Sequence, residues 1–348
     1  MNIEPKSADE LLSMFNDFLE TLPYERKPKT LYDPIVYTLS RGGKRIRPML
    51  MLLTYNMFRD DPERILMQAA AIETYHNYTL LHDDLMDNAD VRRGSPTVHK
   101  KWDANTAILS GDAMLVLAYQ RLADCKFASC HTHEQQQSEP EPSRDDFSRF
   151  KQVLDLFTQT ALEIGEGQQY DMDFEHRNDV TEEEYIEMIR LKTSVLLACS
   201  MKIGAILAGA SYEDADTLYK FGERIGLAFQ LQDDLLDVYG DPAVFGKAIG
   251  GDIVSNKKTY MLINALQRAD KQQRETLELW ISRDTFEHEE KIASITNIYD
   301  ELGIRMLCQR KIDEYFNESE AYLDKVSVPE NAKAQIRSYT ANMMRREK

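Results

Sequence analysis

Apolar residues recur at helical spacing along most of this chain, and no segment longer than a few residues alternates between apolar and polar positions. Near the N-terminus, Ser7 and Glu10 form a capping-box pattern just ahead of an amphipathic stretch that begins at Leu11. Further helices are predicted over residues 48–87, 104–123, 147–170, 181–210, 215–239 and 258–279. The chain is therefore predicted to be all-α.

A polar, irregular segment at 125–149 interrupts this pattern. It is rich in Gln, Ser, Glu and Pro, which is typical of a solvated loop between two helices. Zinc binding by Cys125, Cys130, His131 and His133 is the alternative, but their spacing matches none of the standard zinc patterns. We predict a polar loop insertion.

Composition narrows the possible partners. The net charge of -17 argues against nucleic acid and anionic membrane surfaces as partners. The longest apolar run, 195–210, contains Lys202 and favours a buried core helix over membrane insertion. The four cysteines indicate no disulfide framework, and the N-terminus shows no secretory pattern, so a cytoplasmic protein is expected. A length of 348 residues allows one large domain or two medium ones.

The motif D-D-x-x-D occurs twice, beginning at Asp83 and at Asp233. On a helix, residues four apart share a face, so Asp83 lies beside Asp87 and Asp233 beside Asp237. Because like charges at that spacing repel, two copies favour a bound cation over two solvated acidic faces. Carboxylates without Cys or His ligands suit Mg²⁺, which shares its remaining positions with water and phosphate oxygens.

Basic elements complement the two acidic clusters. They are Lys44 and Arg47 after a glycine pair, Arg92-Arg93, Lys192-Thr193, and a glycine-rich loop that contains Lys247 and leads to Lys257. The loop lacks the Walker A order, so it is not a nucleotide P-loop. Each element alone is ordinary surface charge. Together they predict a site for two polyanions, one bound through metal ions and one bound directly by Lys and Arg.

These motifs resemble those of trans-isoprenyl diphosphate synthases of the farnesyl/geranylgeranyl type, in the polyprenyl synthetase family. The matching segments, in family order, are Gly42–Pro48, His82–Asp87 with Arg92–Gly94, Gly167–Asp171, Lys192-Thr193, and Phe229–Asp237 with Gly246-Lys247 and Gly251–Ile253. The resemblance implies a single domain over 1–348. This domain would be one helical bundle around a central cavity, of the isoprenoid synthase type, that works as a homodimer. The resemblance further implies Mg²⁺ as cofactor, with three ions in each active site.

The resemblance also implies a role for each matching residue. The implied metal ligands are Asp83, Asp84, Asp87, Asp233 and Asp237. The implied contacts of the allylic diphosphate are Arg92, Lys192 and Lys247, and those of isopentenyl diphosphate are Lys44, Arg47, His76 and Arg93. The remaining substrate-binding candidates are Gln168, Thr193, Gln230 and Lys257. The implied catalytic set is Asp83, Asp84, Asp87, Lys192, Thr193, Asp233 and Lys247. Helical spacing independently places His76 and Gln230 on the faces that carry the aspartates.

The expected reaction condenses isopentenyl diphosphate with dimethylallyl, geranyl or farnesyl diphosphate. By resemblance, Tyr78 beside the small Thr79 limits the chain and favours a geranylgeranyl product over a farnesyl one, although packing of Tyr78 against a neighbouring helix is the alternative. A class I terpene cyclase also uses an aspartate-rich helix, but it has no second diphosphate for Lys44, Arg47 and Arg93 to bind. A non-catalytic partner subunit need not keep all of these residues.

Overall fold

The computed structural model describes residues 5–24, 26–124, 144–241 and 249–345, and nearly all regular structure there is helical. The α-helices are α1 (Ala8–Thr21), α2 (Lys29–Ser40), α3 (Ile46–Asn56), α4 (Leu66–Met86), α5 (Val98–Lys101), α6 (Ala104–Ala123), α7 (Arg144–Glu175), α8 (Glu182–Ile189), α9 (Val195–Ala208), α10 (Tyr212–Tyr239), α11 (Gly251–Val254), α12 (Tyr260–Arg268), α13 (Lys271–Ser282), α14 (His288–Glu301), α15 (Ile304–Lys325) and α16 (Glu330–Met344). The prediction of an all-α chain is confirmed.

Three shorter elements complete the description. A 3₁₀ turn covers Pro62–Ile65, and a π-helical turn at Arg190–Ser194 joins α8 to α9. Two short antiparallel strands, β1 (Val91–Arg92) and β2 (Ser95–Pro96), form a hairpin after α4. These two strands are the whole of the β-structure in the described part of the chain.

Several predicted boundaries need correction. The capping box is confirmed, since Glu10 N–H donates to Ser7 Oγ at 3.3 Å and begins α1. The prediction of one helix over 48–87 is wrong, because α3 ends at Asn56 and Pro62, which has no N–H, starts the 3₁₀ turn. The predicted helix over 258–279 is in fact two helices, α12 and α13, and Asp270 caps the start of α13.

The predicted loop at 125–149 also changes. Helix α7 begins at Arg144, where Asp145 and Asp146 lie favourably at the positive N-terminal end of the helix dipole, so 144–149 is helical and not loop. The zinc alternative at Cys125 and its neighbours falls on 125–143, outside the described residues.

The chain divides into two compact units. The first comprises Met1–Phe157, Ser200–Ala215 and Val328–Ile336. Here α4 packs along α6, and Gly111 on α6 leaves room for the His82 ring, because a Cβ at that position would overlap the imidazole. A cluster of buried apolar side chains covers this packing: Ile35, Leu81, Val98, Ala107, Met114 and Leu117. The first D-D-x-x-D therefore lies on a closely packed helix.

The second unit comprises Thr158–Cys199, Asp216–Ser327 and Arg337–Lys348. Its core runs through α8, α10, α12, α14 and α15 and includes Leu231, Met261 and Tyr299. The predicted single domain over 1–348 stays a prediction. One helical stretch in the described residues, Glu182–Ala208, is long and apolar enough to cross a membrane, and 72% of its apolar window is buried within the protein.

Candidate active site

The first acidic cluster occupies the last turn of α4. Asp83 is partly buried, Asp84 is buried, and Asp87 is exposed at the C-cap. Arg92 Nε donates to Asp84 Oδ1 at 2.6 Å, and another Arg92 nitrogen lies 3.6 Å from Asp83. Burial raises the pKa of Asp84 to about 6, although the Arg92 charge opposes that rise. Arg92, in the hairpin that follows α4, thus already pairs with Asp83 and Asp84 of the first cluster.

The β-hairpin places the two predicted arginines on different partners. Val91 pairs with Pro96 and Arg92 with Ser95, while Arg93 and Gly94 form the turn with φ of +52° and +71°. Positive φ at both central residues is the type I′ geometry, which matches the twist of a hairpin. Arg92 consequently reaches back to the aspartates, and Arg93 points elsewhere.

Arg93 contacts the glycine pair that precedes α3. Its guanidinium donates to the carbonyl of Gly42 and to Asn77 Oδ1 at 3.3 Å. A Cβ on Gly43, where φ is +141°, would lie 2.9 Å from the Arg93 guanidinium. The two glycines therefore let the Arg93 side chain approach the backbone of this turn.

A buried ion pair anchors the segment that carries Lys44 and Arg47. Arg45, with φ of +50°, pairs with Glu73 of α4, and both side chains are buried. Lys44 remains exposed, while Arg47 Nη1 lies 3.0 Å from His76 Nε2. Burial and the nearby Arg47 charge lower the pKa of His76 well below its usual value. The structure thus brings Arg47 and His76 together.

The predicted chain-length residues lie on α4 among aromatic rings. Tyr78 is partly buried, with ring centroids 5.4 Å from Tyr75 and 4.9 Å from His82. Burial raises the pKa of its hydroxyl. Thr79 donates to the His76 carbonyl at 2.8 Å. Tyr78 is therefore packed within the helix pair, and its role in chain length stays a prediction.

In the second unit, Lys192 lies on the π-helical turn and pairs with a carboxylate of α7. Its Nζ is 2.6 Å from Asp171 Oδ2. A Cβ on Gly167 would overlap the Lys192 backbone nitrogen, so glycine is required for α7 to approach the turn this closely. Single π-turns inside helices commonly mark functional sites. The Asp171 carboxylate thus compensates the charge of an ammonium that is partly removed from water.

A chain of hydrogen bonds continues from Thr193 to a buried tyrosine. Thr193 donates to Gln230 Oε1 at 3.0 Å, and Gln230 Nε2 donates to Asp234 Oδ1 at 3.0 Å. Tyr185 donates to the other oxygen of Asp234. Burial raises the pKa of Asp234 well above its usual value, and the negative charge of Asp252 adds to that effect. The network holds Gln230 and the second acidic cluster in place.

The three aspartates of the second cluster lie in different environments. Asp233 is partly buried, Asp234 is buried in the network above, and Asp237 accepts from the Asp252 N–H at 2.9 Å. The Asp237 carbonyl also accepts from Gly250 N–H at 2.6 Å. Gly250 and Asp252, at the start of α11, are therefore hydrogen-bonded to the last aspartate of the motif.

A cavity of about 100 Å³ lies within the second unit. Four predicted substrate-binding residues line it, namely Lys192, Thr193, Gln230 and Lys257. Gln168 lies outside its lining, and its buried side-chain nitrogen has no hydrogen-bond partner among the described residues. Lys247 falls at 242–248, outside the described part of the chain.

Five residues that line this cavity were not predicted as site residues from the sequence: Asp171, Tyr185, Asp234, Asp252 and Lys258. Two signals could have found some of them. A Lys inside an otherwise apolar helix favours a carboxylate partner, which Asp171 in the preceding motif could supply. Tyr185 lies seven residues before Lys192, so a regular helix would place both on one face.

The aspartates suit a hard cation. Across 5–24, 26–124, 144–241 and 249–345, no three Asp, Glu, His or Cys side chains converge into a ready-made metal cage. Mg²⁺ does not require one, because it usually binds to one or two carboxylates and completes its shell with water and substrate phosphates. Partly exposed Asp83 and Asp233 fit that donor chemistry.

A helical fold with two aspartate-rich helices and a separate basic set defines a class of metal-dependent enzymes that act on diphosphates. Comparison with known proteins gives the family: residues 28–299 match the polyprenyl synthetase family. The chain belongs to the polyprenyl synthetase family, and its fold is the all-α isoprenoid synthase type. Members are generally Mg²⁺-dependent and use isopentenyl and allylic diphosphates.

Individual relatives agree with this assignment. The chain is 42% identical over 252 residues to geranylgeranyl diphosphate synthase of Methanosarcina mazei, covering 72% of each protein. It is 40% identical over 267 residues to short chain isoprenyl diphosphate synthase of Methanocaldococcus jannaschii, covering 77% of this chain and 75% of that protein. A crystal structure of geranylgeranyl pyrophosphate synthase superposes with a TM-score of 0.88 at 37% identity, covering 99% of this chain and 100% of that one.

Proposed function

We propose that this protein condenses isopentenyl diphosphate with dimethylallyl, geranyl or farnesyl diphosphate to give geranylgeranyl diphosphate. The observation that carries the proposal is the basic set of the first unit, Lys44, Arg47, His76 and Arg93. Arg47 lies 3.0 Å from His76, and Arg93 donates to the Gly42 carbonyl. Such a set can bind a diphosphate directly, without metal. A terpene cyclase, which has one diphosphate substrate, does not need it.

The basic set is proposed to bind isopentenyl diphosphate. Burial and the Arg47 charge lower the pKa of His76 in the free protein, which disfavours the protonated ring. A bound diphosphate adds negative charge beside His76, which favours the protonated ring. Arg47 then supplies one positive charge, and exposed Lys44 supplies another.

The two acidic clusters are proposed to bind Mg²⁺ for the allylic diphosphate, each through its exposed or partly exposed aspartates. In the first cluster these are Asp83 and Asp87, with Asp84 held by Arg92. In the second they are Asp233 and Asp237. Three ions in each active site remain our proposal. The chemistry that Mg²⁺ supplies when bound is neutralisation of charge on the diphosphate.

The protein's own side chains supply the rest of the chemistry, and no protein nucleophile is required. As the allylic C–O bond breaks, Lys192 stabilises the negative charge that develops on the leaving diphosphate. The double bond of isopentenyl diphosphate attacks the allylic carbocation and forms the new C–C bond. The proton that is then lost goes to the released diphosphate. We propose that Thr193 and Gln230, linked at 3.0 Å, position this end of the site.

Product analysis tests the proposal. The protein is incubated with isopentenyl diphosphate, Mg²⁺ and each allylic primer in turn, and the dephosphorylated products are identified by mass spectrometry. We expect geranylgeraniol from every primer. Farnesol alone would establish the farnesyl alternative, and a cyclic hydrocarbon formed without isopentenyl diphosphate would establish a cyclase. No product with any primer would contradict catalysis and favour a partner-subunit role.

We further propose that the protein is a cytoplasmic homodimer. Helix α6 exposes Leu109 and Val116, which are two turns apart, with exposed fractions of 60% and 68%. Ile108 beside them is also exposed. Apolar side chains along one helix face suit an interface with a second copy. Sedimentation analysis tests this, since Val116→Glu should convert a dimer to a monomer.

A further inference from the structure

Lys291 on α14 is fully buried, with an exposed fraction of 0%. Its Nζ donates to the Val254 carbonyl at 3.0 Å and to Asn256 Oδ1 at 2.6 Å, and it lies 4.2 Å from the ring centroid of Phe286. A lysine is rarely buried completely, because desolvation of the ammonium is costly. Burial accordingly lowers its pKa. Such a lysine needs a structural or functional reason.

The ammonium contacts the turn that ends α11. Asn256 has φ of +56°, its N–H donates to the Ile253 carbonyl at 3.2 Å, and the Lys257 N–H donates to the Asp252 carbonyl at 2.9 Å. This pair of bonds is a Schellman motif. The motif leaves the Val254 carbonyl without a helical donor, and the Lys291 ammonium supplies one.

Other contacts fix the same segment from both sides. Asn256 Nδ2 donates to the Ile281 carbonyl at 3.1 Å, so the turn is attached to α13 as well as α14. At the other end of α11, a Cβ on Gly250 would lie 2.6 Å from Ile292, the residue after Lys291. The segment 250–257 is therefore held by consecutive residues of α14.

We propose that Lys291 is a positioning residue that orients Lys257 toward the allylic diphosphate. Lys257 directly follows the turn that Lys291 holds, and it lines the same cavity as Lys192, which we assign to that diphosphate. The proposal rests on the proposed function. It adds a residue that touches no substrate and acts through the backbone at Asn256.

Kinetics of three variants test the proposal. Lys291→Met keeps the unbranched apolar part of the side chain and removes its three donors. Asn256→Ala removes the other partner of the contact. Both should raise the KM for farnesyl diphosphate about tenfold, the loss expected when a charged hydrogen-bonding group is misplaced, and leave the KM for isopentenyl diphosphate unchanged. The matched control is Ile298→Val, which removes buried apolar volume from the same helix.

A double-mutant cycle separates positioning from stability. If Lys291 acts through Lys257, then Lys257→Ala should raise the KM for farnesyl diphosphate less in the Lys291→Met background than in the natural protein. An unchanged KM for farnesyl diphosphate in Lys291→Met would overturn the proposal. Equal rises in KM for both substrates would also overturn it, if Ile298→Val gives the same rises at the same loss of melting temperature. If Lys291→Met does not fold, the Asn256→Ala cycle decides. Absence of condensation in the natural protein would refute the proposed function instead.

Discussion

The buried pair of Arg45 and Glu73 allows a quantitative test of what anchors the basic set. The two side chains are 8% and 3% exposed, and Asn77 Nδ2 donates to the same Glu73 oxygen at 2.9 Å. Arg45→Met leaves the Glu73 carboxylate buried without its guanidinium. Breaking a buried ion pair from one side costs about 3–5 kcal/mol, because the remaining charge is uncompensated. We expect a loss of this size in the free energy of unfolding.

The double variant distinguishes the effect of an uncompensated buried charge on stability from the effect of lost packing. Arg45→Met with Glu73→Gln removes both charges, so its loss should be several kcal/mol smaller than the sum of the two single losses. Urea unfolding followed by circular dichroism measures all three variants. The control is Arg64→Met, which breaks a half-exposed pair and should cost at most about 1 kcal/mol.

The same pair has a kinetic consequence. Arg45 lies between Lys44 and Arg47 in the chain and anchors the segment that carries them. Its loss should therefore raise the KM for isopentenyl diphosphate more than the KM for the allylic substrate. A stability loss below about 1 kcal/mol for Arg45→Met would refute the reasoning, and so would strict additivity in the double variant.

Four further predictions follow from the site. Asp83→Ala should abolish Mg²⁺-dependent condensation and leave the helical circular dichroism spectrum unchanged, since it removes a proposed ligand and also relieves like-charge repulsion. Lys44→Ala should raise the KM for isopentenyl diphosphate about ten- to hundredfold, and Lys192→Ala should do the same for the allylic substrate, by steady-state kinetics. Tyr78→Ala should lengthen the product detected by mass spectrometry, because it removes a bulky ring. Binding of isopentenyl diphosphate should take up a proton at His76, whose pKa is lowered in the free protein and rises beside the added negative charge, so affinity falls as pH increases; calorimetry in two buffers of different ionisation heat measures the uptake.

For each of these predictions, one result would contradict it. Normal turnover and Mg²⁺ dependence in Asp83→Ala would exclude metal binding there. Equal KM changes for both substrates in Lys44→Ala would contradict separate diphosphate sites. An unchanged product in Tyr78→Ala would leave that ring a packing residue, and proton uptake that persists in His76→Gln would exclude His76 as its source.

Local patterns in the sequence predicted local structure well. Helix α6 has the predicted bounds, Ala104–Ala123, and Asp103 caps it by accepting from the Thr106 N–H at 2.9 Å. The capping box at Ser7 is likewise a short-range interaction within one turn. In both cases the residues that determine the boundary are adjacent in the chain, so spacing alone is informative.

Long-range packing explains what the sequence did not predict. The π-helical turn at Arg190–Ser194 has helical periodicity on both sides, and nothing local marks it. Its neighbours in space, Gly167 and Gly226, approach its backbone so closely that a Cβ on either would overlap it. The aspartates and basic motifs were found from the sequence, whereas the partners of Lys192 and Asp234 required the fold.

The backbone conformation of Arg93 in the type I′ turn lowers stability, whereas its side chain belongs to the proposed isopentenyl site. A non-glycine residue in the left-handed region costs about 1–2 kcal/mol, and Asn or Gly is favoured at this position of the turn. Arg93→Gly or Arg93→Asn would relieve this strain but would also remove the hydrogen bonds that Arg93 donates to Gly42 and Asn77. Either change would discard a guanidinium of the proposed isopentenyl site, so thermostable variants should be sought elsewhere in the chain.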